Sequence, residues 1–178
     1  EEQYNVRARL VGKEFKTDTS LEMFAATPPL EAKKFLFSKA ATSRGKYSQH
    51  GEYKLMFIDV KRAYMCAPEE RDVYVMLPSQ DATPGFCGKL NKSMYGTRGA
   101  AQSWEKHYGN VFVSSLGFTQ GKASVCCFYH EGRDIRIVAH GDDFTALGMY
   151  DQLQWLEAEL RNHFELKVSG CLGSAPGD

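Results

Sequence analysis

Three aspartates are the side chains in this sequence best suited to chemistry. Asp59 ends an apolar run, residues 53–60, that predicts a buried strand, and Asp142 and Asp143 follow a second β-rich run. An unpaired carboxylate beside a buried strand is costly, so each one needs a partner. Two carboxylates at a turn that faces a third on a neighbouring strand would form an oxygen-only site, the ligand set that Mg²⁺ prefers. Two Mg²⁺ ions in such a site activate an attacking hydroxyl and stabilise a leaving pyrophosphate.

Each aspartate also has an ordinary structural explanation. Gly and Asp both tolerate positive φ, so residues 141–143 fit a common hairpin turn, which explains the Asp142–Asp143 pair better when it is taken alone. Asp59 is equally able to cap a short helix that the sequence predicts over residues 61–66. The three aspartates together, in this order, favour a shared cation site.

Other candidate side chains are weaker. Arg7 and Arg9 lie two apart on a predicted strand, so they would share one face and could bind a triphosphate, although solvent-facing arginines are common. Tyr64 could lie beneath a nucleotide sugar or fill the core. Cys126, within a β-run, is more typical of a buried, unreactive thiol than of a nucleophile paired with His140.

Hydrophobic patterning predicts the elements that must position these residues. Strands are predicted at residues 6–15, 53–60, 73–77, 125–129, 135–139, 144–147 and 165–168. Helices are predicted at residues 30–42, 61–66, 100–116 and 151–164, the last with Asp151 as its N-cap. This order predicts an α+β fold in which a sheet is packed by helices on one face.

Composition and charge limit the class of protein. The 178 residues carry 22 Lys and Arg against 22 Asp and Glu, and 43% are hydrophobic, which is typical of a globular domain and excludes a disordered chain. Residues 1–62 hold 12 basic and 8 acidic residues, whereas the rest hold 10 and 14. The basic front half could meet phosphates and the acidic remainder could hold cations, although scattered solvated surface charge explains the asymmetry as well.

Targeting and redox signals are few. No apolar run approaches the roughly 20 residues that span a bilayer, and no signal peptide is recognisable. Five cysteines without a CxxC pair fit neither a disulfide framework nor a zinc site, which favours a reducing, intracellular setting. The first residue is not Met, which indicates an excerpt from a longer chain.

Six stretches of the sequence, in order, resemble the reverse transcriptase domain of copia-type long-terminal-repeat retrotransposons. RARLVGKEF (7–15) resembles the family's KARLV-x-K-G-F opening, FIDVKRAYMCA (57–67) its DVK-x-AF segment, and EERDVYVMLP (69–78) its E-x-VYM-x-QP segment. LNKSMYGTRGAAQSW (90–104) resembles L-x-KSLYGLKQAPR-x-W, LGF (116–118) the family's LGF, and AHGDDFTALG (139–148) the YVDD region. The similarity as a whole runs along most of the chain, from about Val6 to Leu166.

The resemblance implies a polymerase palm, an antiparallel sheet with helices on one face, plus part of the fingers. Residues 1–52 would be the partial fingers region, 53–169 the palm and 170–178 a flexible tail. Such a domain copies an RNA or DNA template–primer into DNA from deoxynucleoside triphosphates with two Mg²⁺ ions. Integrase and ribonuclease H domains would lie outside this chain, and the protein would be intracellular, in the cytoplasm or in virus-like particles.

The resemblance also implies roles for individual residues. Asp59, Asp142 and Asp143 would be the catalytic, metal-binding carboxylates. Tyr64 would lie beneath the deoxyribose, and Arg7 and Arg9 would reach the triphosphate. Template–primer contacts would come from two neighbouring residues, Tyr95 and Gly96.

Two departures from the family patterns leave other functions open. His140 and Gly141 replace the first two residues of YVDD, and residues 98–102 (RGAAQ) replace KQAPR. A catalytically inactive palm-like remnant that at most binds nucleic acid is one alternative. Another palm-type two-metal enzyme, such as a nucleotidyl cyclase, is the second.

Overall fold

A computed structural model describes residues 9–15, 23–42 and 52–173 of the chain. The helices are α1 (Leu30–Thr42), α2 (Ala63–Cys66), α3 (Ala100–Asn110) and α4 (Tyr150–Arg161). The strands are β1 (Tyr53–Val60), β2 (Tyr74–Val75), β3 (Gly88–Lys89), β4 (Thr119–Gln120), β5 (Cys127–His130), β6 (Ile135–His140), β7 (Asp143–Met149) and β8 (Leu166–Leu172). Six strands form an antiparallel sheet in the order β4-β5-β6-β7-β1-β8, and β2 pairs with β3. The predicted α+β class is confirmed.

The two faces of the sheet bury different side chains because successive strand residues point to opposite faces. Met56 and Ile58 of β1 join the larger core, together with Trp104 of α3 and Leu156 of α4. Residues of the other register, represented by Leu55, pack with Leu36 of α1 and Leu147 of β7. The three helices of the predicted palm therefore lie on one face, as expected, while α1 covers part of the opposite face.

The predicted bounds of helices and strands agree with the structure best where the local sequence pattern is strongest. α1 and β1 have the predicted bounds, residues 30–42 and 53–60. The third helix ends earlier than predicted, at Asn110, and continues as a π-helical turn, Val111–Ser115. The predicted strand at 73–77 is shortened to the two residues of β2.

Two predictions about the chain's ends are wrong where the structure describes them. Residues 9–15 are not a strand, and only Gly12 and Glu14 donate backbone hydrogen bonds to a loop, at 2.7 and 3.3 Å. The remainder of that predicted strand, including Arg7, lies outside the described residues. β8 continues past the predicted tail boundary at residue 170, because residues up to Leu172 pair with β1.

Helix capping differs from the prediction at two aspartates. α4 begins at Tyr150 with Met149 at the N-cap, so Asp151 lies inside the first turn. α2 has Arg62 at its N-cap and no side-chain cap hydrogen bond. The structural explanation of Asp59 as a helix cap is therefore wrong. No helix in the described ranges is long and apolar enough to cross a membrane.

Candidate active site

Antiparallel pairing brings two of the three predicted aspartates side by side. Asp59 at the end of β1 lies directly opposite Asp143 at the start of β7. Directly opposed residues in such a pair have Cβ atoms about 4.5–5.5 Å apart. Both side chains belong to the strand register that faces α1, the register of Leu55 and Leu147. The sheet thus presents two carboxylates together at one end of its α1-facing side.

The third aspartate lies in the turn between β6 and β7. His140 pairs with Asp143, so Gly141 and Asp142 form a two-residue hairpin loop. Gly141 has φ +63, a conformation that glycine adopts at no steric cost and that type II′ turns require at this position. The predicted hairpin turn is therefore present, and it places Asp142 next to the paired carboxylates.

Two hydrogen bonds fix the backbone of this turn. The Val60 amide donates to the Asp142 carbonyl oxygen at 2.9 Å, which ties the turn to β1. The Trp104 Nε1–H donates to the Gly141 carbonyl oxygen at 2.8 Å, which ties it to α3. Since Trp104 is only 1% exposed whereas Gly141 is exposed, this second bond is partly shielded from water. The turn is held from the strand beside it and from the core beneath it.

The three carboxylates lie within one another's electrostatic reach. Burial raises the pKa of Asp143, the negative charges of Asp142 and Asp59 raise it further, and Lys33 and His140 partly oppose the rise. Within residues 9–15, 23–42 and 52–173, no hydrogen bond or ion pair reaches these three carboxylates. Their mutual repulsion is the kind that a bound cation relieves.

A divalent cation fits the chemistry of this donor set. All three side chains offer carboxylate oxygens, which hard cations such as Mg²⁺ prefer. Among the residues that the structure describes, however, no group of three or more His, Cys, Asp or Glu side chains is already arranged around a metal position. The three aspartates lie at the same end of two neighbouring strands. Their side chains would have to converge to bind an ion.

A cavity of about 290 Å³ opens beside the paired aspartates. Lys33 and Phe37 of α1 line it together with Asp59, Asp143 and Ser169. Lys33 Nζ lies 3.2 Å from Nδ1 of His140, the residue that precedes the turn. The first helix thus places a positive charge over the carboxylate end of the sheet.

Three further predicted site residues gather near Asp142. The rings of Tyr64 and Tyr95 have centroids 4.5 Å apart and are tilted by 35°. Burial raises the pKa of Tyr95, Asp142 and Tyr64 add to the rise, and Arg9 opposes it. Arg9, which is exposed, and both tyrosines therefore belong to the electrostatic neighbourhood of the turn. Arg7 cannot be placed, because it lies outside the described residues.

Gly96 is required where two backbones cross. It has φ +87, and a Cβ at this position would lie 2.0 Å from the carbonyl oxygen of Gly12. The Gly12 amide donates to the carbonyl oxygen of Tyr95 at 2.7 Å across the same crossing. The predicted template–primer contact of Tyr95 and Gly96 stays a prediction, and packing already accounts for the glycine.

The remaining sequence-based candidate does not form a nucleophile. Cys126 is fully buried, and its Sγ lies 3.3 Å from the Ala26 carbonyl oxygen. Burial raises the pKa of this thiol to about 11, so it is protonated at neutral pH. His140 is exposed and contacts Lys33 instead.

Two residues of the site were not among the predicted ones. Trp104 was expected only as part of the buried face of its helix, and its bond to Gly141 joins residues 37 apart, which leaves no local signal. Lys33 is one of two adjacent lysines near the start of α1, and the sequence does not show which of them faces the sheet. Only the packing of α1 against β1 and β7 distinguishes them.

Comparison with known proteins identifies the class. The sequence model of the family described as reverse transcriptase (RNA-dependent DNA polymerase) matches residues 2–175. The chain belongs to this family. One curated relative, the retrovirus-related Pol polyprotein from transposon TNT 1-94 of Nicotiana tabacum, is 25% identical over 174 residues. The match covers 92% of this chain and 12% of the polyprotein, so the chain corresponds to a small part of that relative.

Proposed function

We propose that this domain is an RNA-directed DNA polymerase unit in which Asp59, Asp142 and Asp143 bind two Mg²⁺ ions. The observation that carries the proposal is the placement of Asp59 directly opposite Asp143, with Asp142 in the adjoining turn. The raised pKa of Asp143 supports it, since this carboxyl responds to both neighbouring aspartates. When bound, the ions would supply charge neutralisation for attack of a primer 3′-hydroxyl on the α-phosphate of a nucleotide.

Other residues of the protein would bind the nucleotide and the template–primer. Tyr64, packed on Tyr95, offers an aromatic surface near Asp142 for the deoxyribose. Arg9 offers an exposed guanidinium for the triphosphate. Tyr95 and Gly96 would contact the template–primer. Arg7 is proposed for the triphosphate on the family pattern alone.

The proposed partners follow from this chemistry. They are an RNA or DNA template–primer and deoxynucleoside triphosphates. We propose the palm at residues 53–169, with β8 extending to Leu172, and the partial fingers region at residues 1–52. Because the tobacco relative is a Pol polyprotein from a transposon, we also propose that this domain acts within a longer, intracellular polyprotein.

The test is nucleotide incorporation on a primed RNA or DNA template in Mg²⁺. Asp142→Asn removes one ligand charge without changing the size of the side chain, and we expect incorporation to fall by at least about 10³-fold. Asp151→Asn is the matched control, because Asp151 is exposed on α4 and, within the described part of the chain, its side chain accepts a hydrogen bond only from its neighbour Gln152. If the Asp142→Asn variant incorporates nucleotides at the wild-type level, the catalytic assignment of Asp142 is wrong.

An inactive, nucleic-acid-binding domain is the second candidate. It is favoured by the lack of a preformed group of metal ligands among the described residues and by His140 and Gly141 in the turn. In that case the wild type would bind a primer–template in a salt-sensitive manner and incorporate nothing. The same incorporation assay therefore separates the two candidates.

A further inference from the structure

Charged side chains join the N-terminal segment, residues 9–15, to the rest of the protein. Arg71 donates from Nη1 to Glu14 Oε1 at 2.9 Å and from Nη2 to Glu14 Oε2 at 3.1 Å. Its Nε donates to Glu69 Oε1 at 3.3 Å. The Arg98 backbone amide donates to Glu14 Oε2 at 2.8 Å. A two-point guanidinium–carboxylate pair fixes orientation as well as distance, which a single contact does not.

The cluster is partly shielded from water and depends on Arg71. The Glu69 side chain is 1% exposed, and those of Arg71 and Glu14 are 29% and 26% exposed. Glu69 Oε2 is buried and has no hydrogen-bond partner among the described residues. Arg71 pairs with two carboxylates, one of them almost completely buried, and Arg98 also acts electrostatically on Glu14. Removal of Arg71 would leave less well compensated negative charge at the junction.

Local space is shaped for this guanidinium. A Cβ on Gly99 would lie 3.1 Å from both Nε and Nη2 of Arg71, so a larger residue at 99 would crowd the cluster.

Among the described residues, three hydrogen bonds join the segment to the loop at residues 94–98, one of them from the Arg98 amide to the Glu14 carboxylate. Residues 9–15 belong to no strand, and their amides make two backbone hydrogen bonds to the loop, from Gly12 to Tyr95 and from Glu14 to Gly96. The second of these bonds, at 3.3 Å, is donated by Glu14, whose side chain pairs with Arg71. Arg9, at the other end of the segment, acts electrostatically on Tyr95. The position of Arg9 therefore depends on how firmly the segment is held.

We propose that Arg71 is a positioning residue for nucleotide binding. By holding Glu14 on the loop, it presents Arg9 beside Tyr95 and near the carboxylate end of the sheet. The substrate class is a nucleoside triphosphate, and this step rests on the function proposed above. Arg71 itself contacts no substrate in this role.

The test is Arg71→Met, measured by two independent readouts. Hydrogen exchange at the Gly12 and Glu14 amides should accelerate by about 10-fold or more, while exchange in β1 and β7 stays unchanged. The KM for the deoxynucleoside triphosphate should rise about 10-fold, with kcat within about 3-fold of the wild type. Arg161→Met is the matched control, because Arg161 forms an exposed ion pair with Glu157 on α4.

Two more variants guard against a general loss of folding. Glu14→Gln weakens the same pair from the other side and should show the same pattern more mildly. Arg71→Lys keeps the positive charge beside Glu14 and Glu69 without the two-point pair, and it should restore part of the nucleotide affinity that Arg71→Met removes. A merely structural arginine would lower kcat and stability without this separation and without the rescue.

The outcomes distinguish this inference from the proposed function. If the wild type incorporates no nucleotide, the proposed polymerase function fails, and the equilibrium Kd for dATP on a primer–template with Mg²⁺ replaces KM. A Kd raised by Arg71→Met would still support the positioning role. Unchanged amide exchange, or an unchanged KM or Kd, in Arg71→Met would overturn it.

Discussion

The carboxylates at the two ends of the α1-facing side of the sheet have opposite surroundings. At one end, Asp134 accepts hydrogen bonds from the Tyr53 hydroxyl and, at 3.1 Å, from the Tyr129 hydroxyl, and forms a 2.8 Å ion pair with Arg136. At the other end, Asp59 and Asp143 face each other with Asp142 beside them. Tyr53 and Asp59 are the first and second-last residues of one strand, so the contrast arises within about 20–25 Å of sheet.

The pKa values of the two ends move in opposite directions. Burial opposes ionisation of Asp134, but hydrogen bonds from Tyr53 and Arg136 outweigh it and hold its pKa below the ordinary value. Burial raises the pKa of Asp143, and its acidic neighbours add to the rise. A carboxylate whose charge the chain satisfies is structural. One that no hydrogen bond or ion pair from the described residues reaches is suited to an external cation.

The first prediction concerns how the aspartate end is held. Asp134 is fixed through its own side chain, whereas the turn at Asp142 is fixed through its backbone, by Val60 and Trp104. Trp104→Phe keeps an aromatic ring but leaves the Gly141 carbonyl without its donor, so we expect a loss of about 1–3 kcal/mol of unfolding free energy. Chemical denaturation measures it, with Trp155→Phe as the control. Equal losses in both variants would contradict a special role for the bond to Gly141.

The second prediction compares the same substitution at both ends at pH 7. Asp134→Asn removes charged hydrogen bonds to Tyr53 and Arg136 and should destabilise the protein by about 1 kcal/mol. Asp143→Asn removes a repulsive charge at an exposed position and should stabilise it by a few tenths of a kcal/mol, at about the scale of exposed charge pairs. Changes of the same sign would remove the contrast between the ends.

The third prediction is the pH dependence of the satisfied end. The folded-state pKa of Asp134 is lowered, so its contribution is present above the unfolded pKa of 3.8 and is lost as the pH falls through the folded value. The pKa of Tyr53 is raised to about 12, so its contribution is full below 10 and is lost as the pH rises through about 12. Unfolding of wild type and Asp134→Asn should therefore converge in acid, and persistence of the difference there would contradict the assignment.

The sequence predicted those features that depend on contiguous residues. The bounds of α1 and β1 were right because an uninterrupted pattern determines each one. The aspartates could be chosen because their residue type and their position after apolar runs are local properties. Their opposition across two strands required the fold, and their roles in metal binding stay predictions.

The remaining features arise from contacts between distant residues. An imperfect alternation of apolar and basic residues over residues 6–15 predicted a strand, yet Glu14 pairs with Arg71, 57 positions away, and residues 9–15 lie on a loop. The bond from Trp104 to Gly141 and the pairing of residues 170–172 with β1 also depend on tertiary packing. Local periodicity contains no information about such partners.

Divalent-cation binding tests the central claim most directly. Mn²⁺, titrated into the protein with a primer–template and followed by electron paramagnetic resonance, should bind the wild type in competition with Mg²⁺. Asp59→Asn should weaken that binding by about 10-fold or more, and Asp134→Asn should leave it unchanged. Binding that is insensitive to Asp59→Asn, or that depends on Asp134, would contradict a cation site built from the three aspartates.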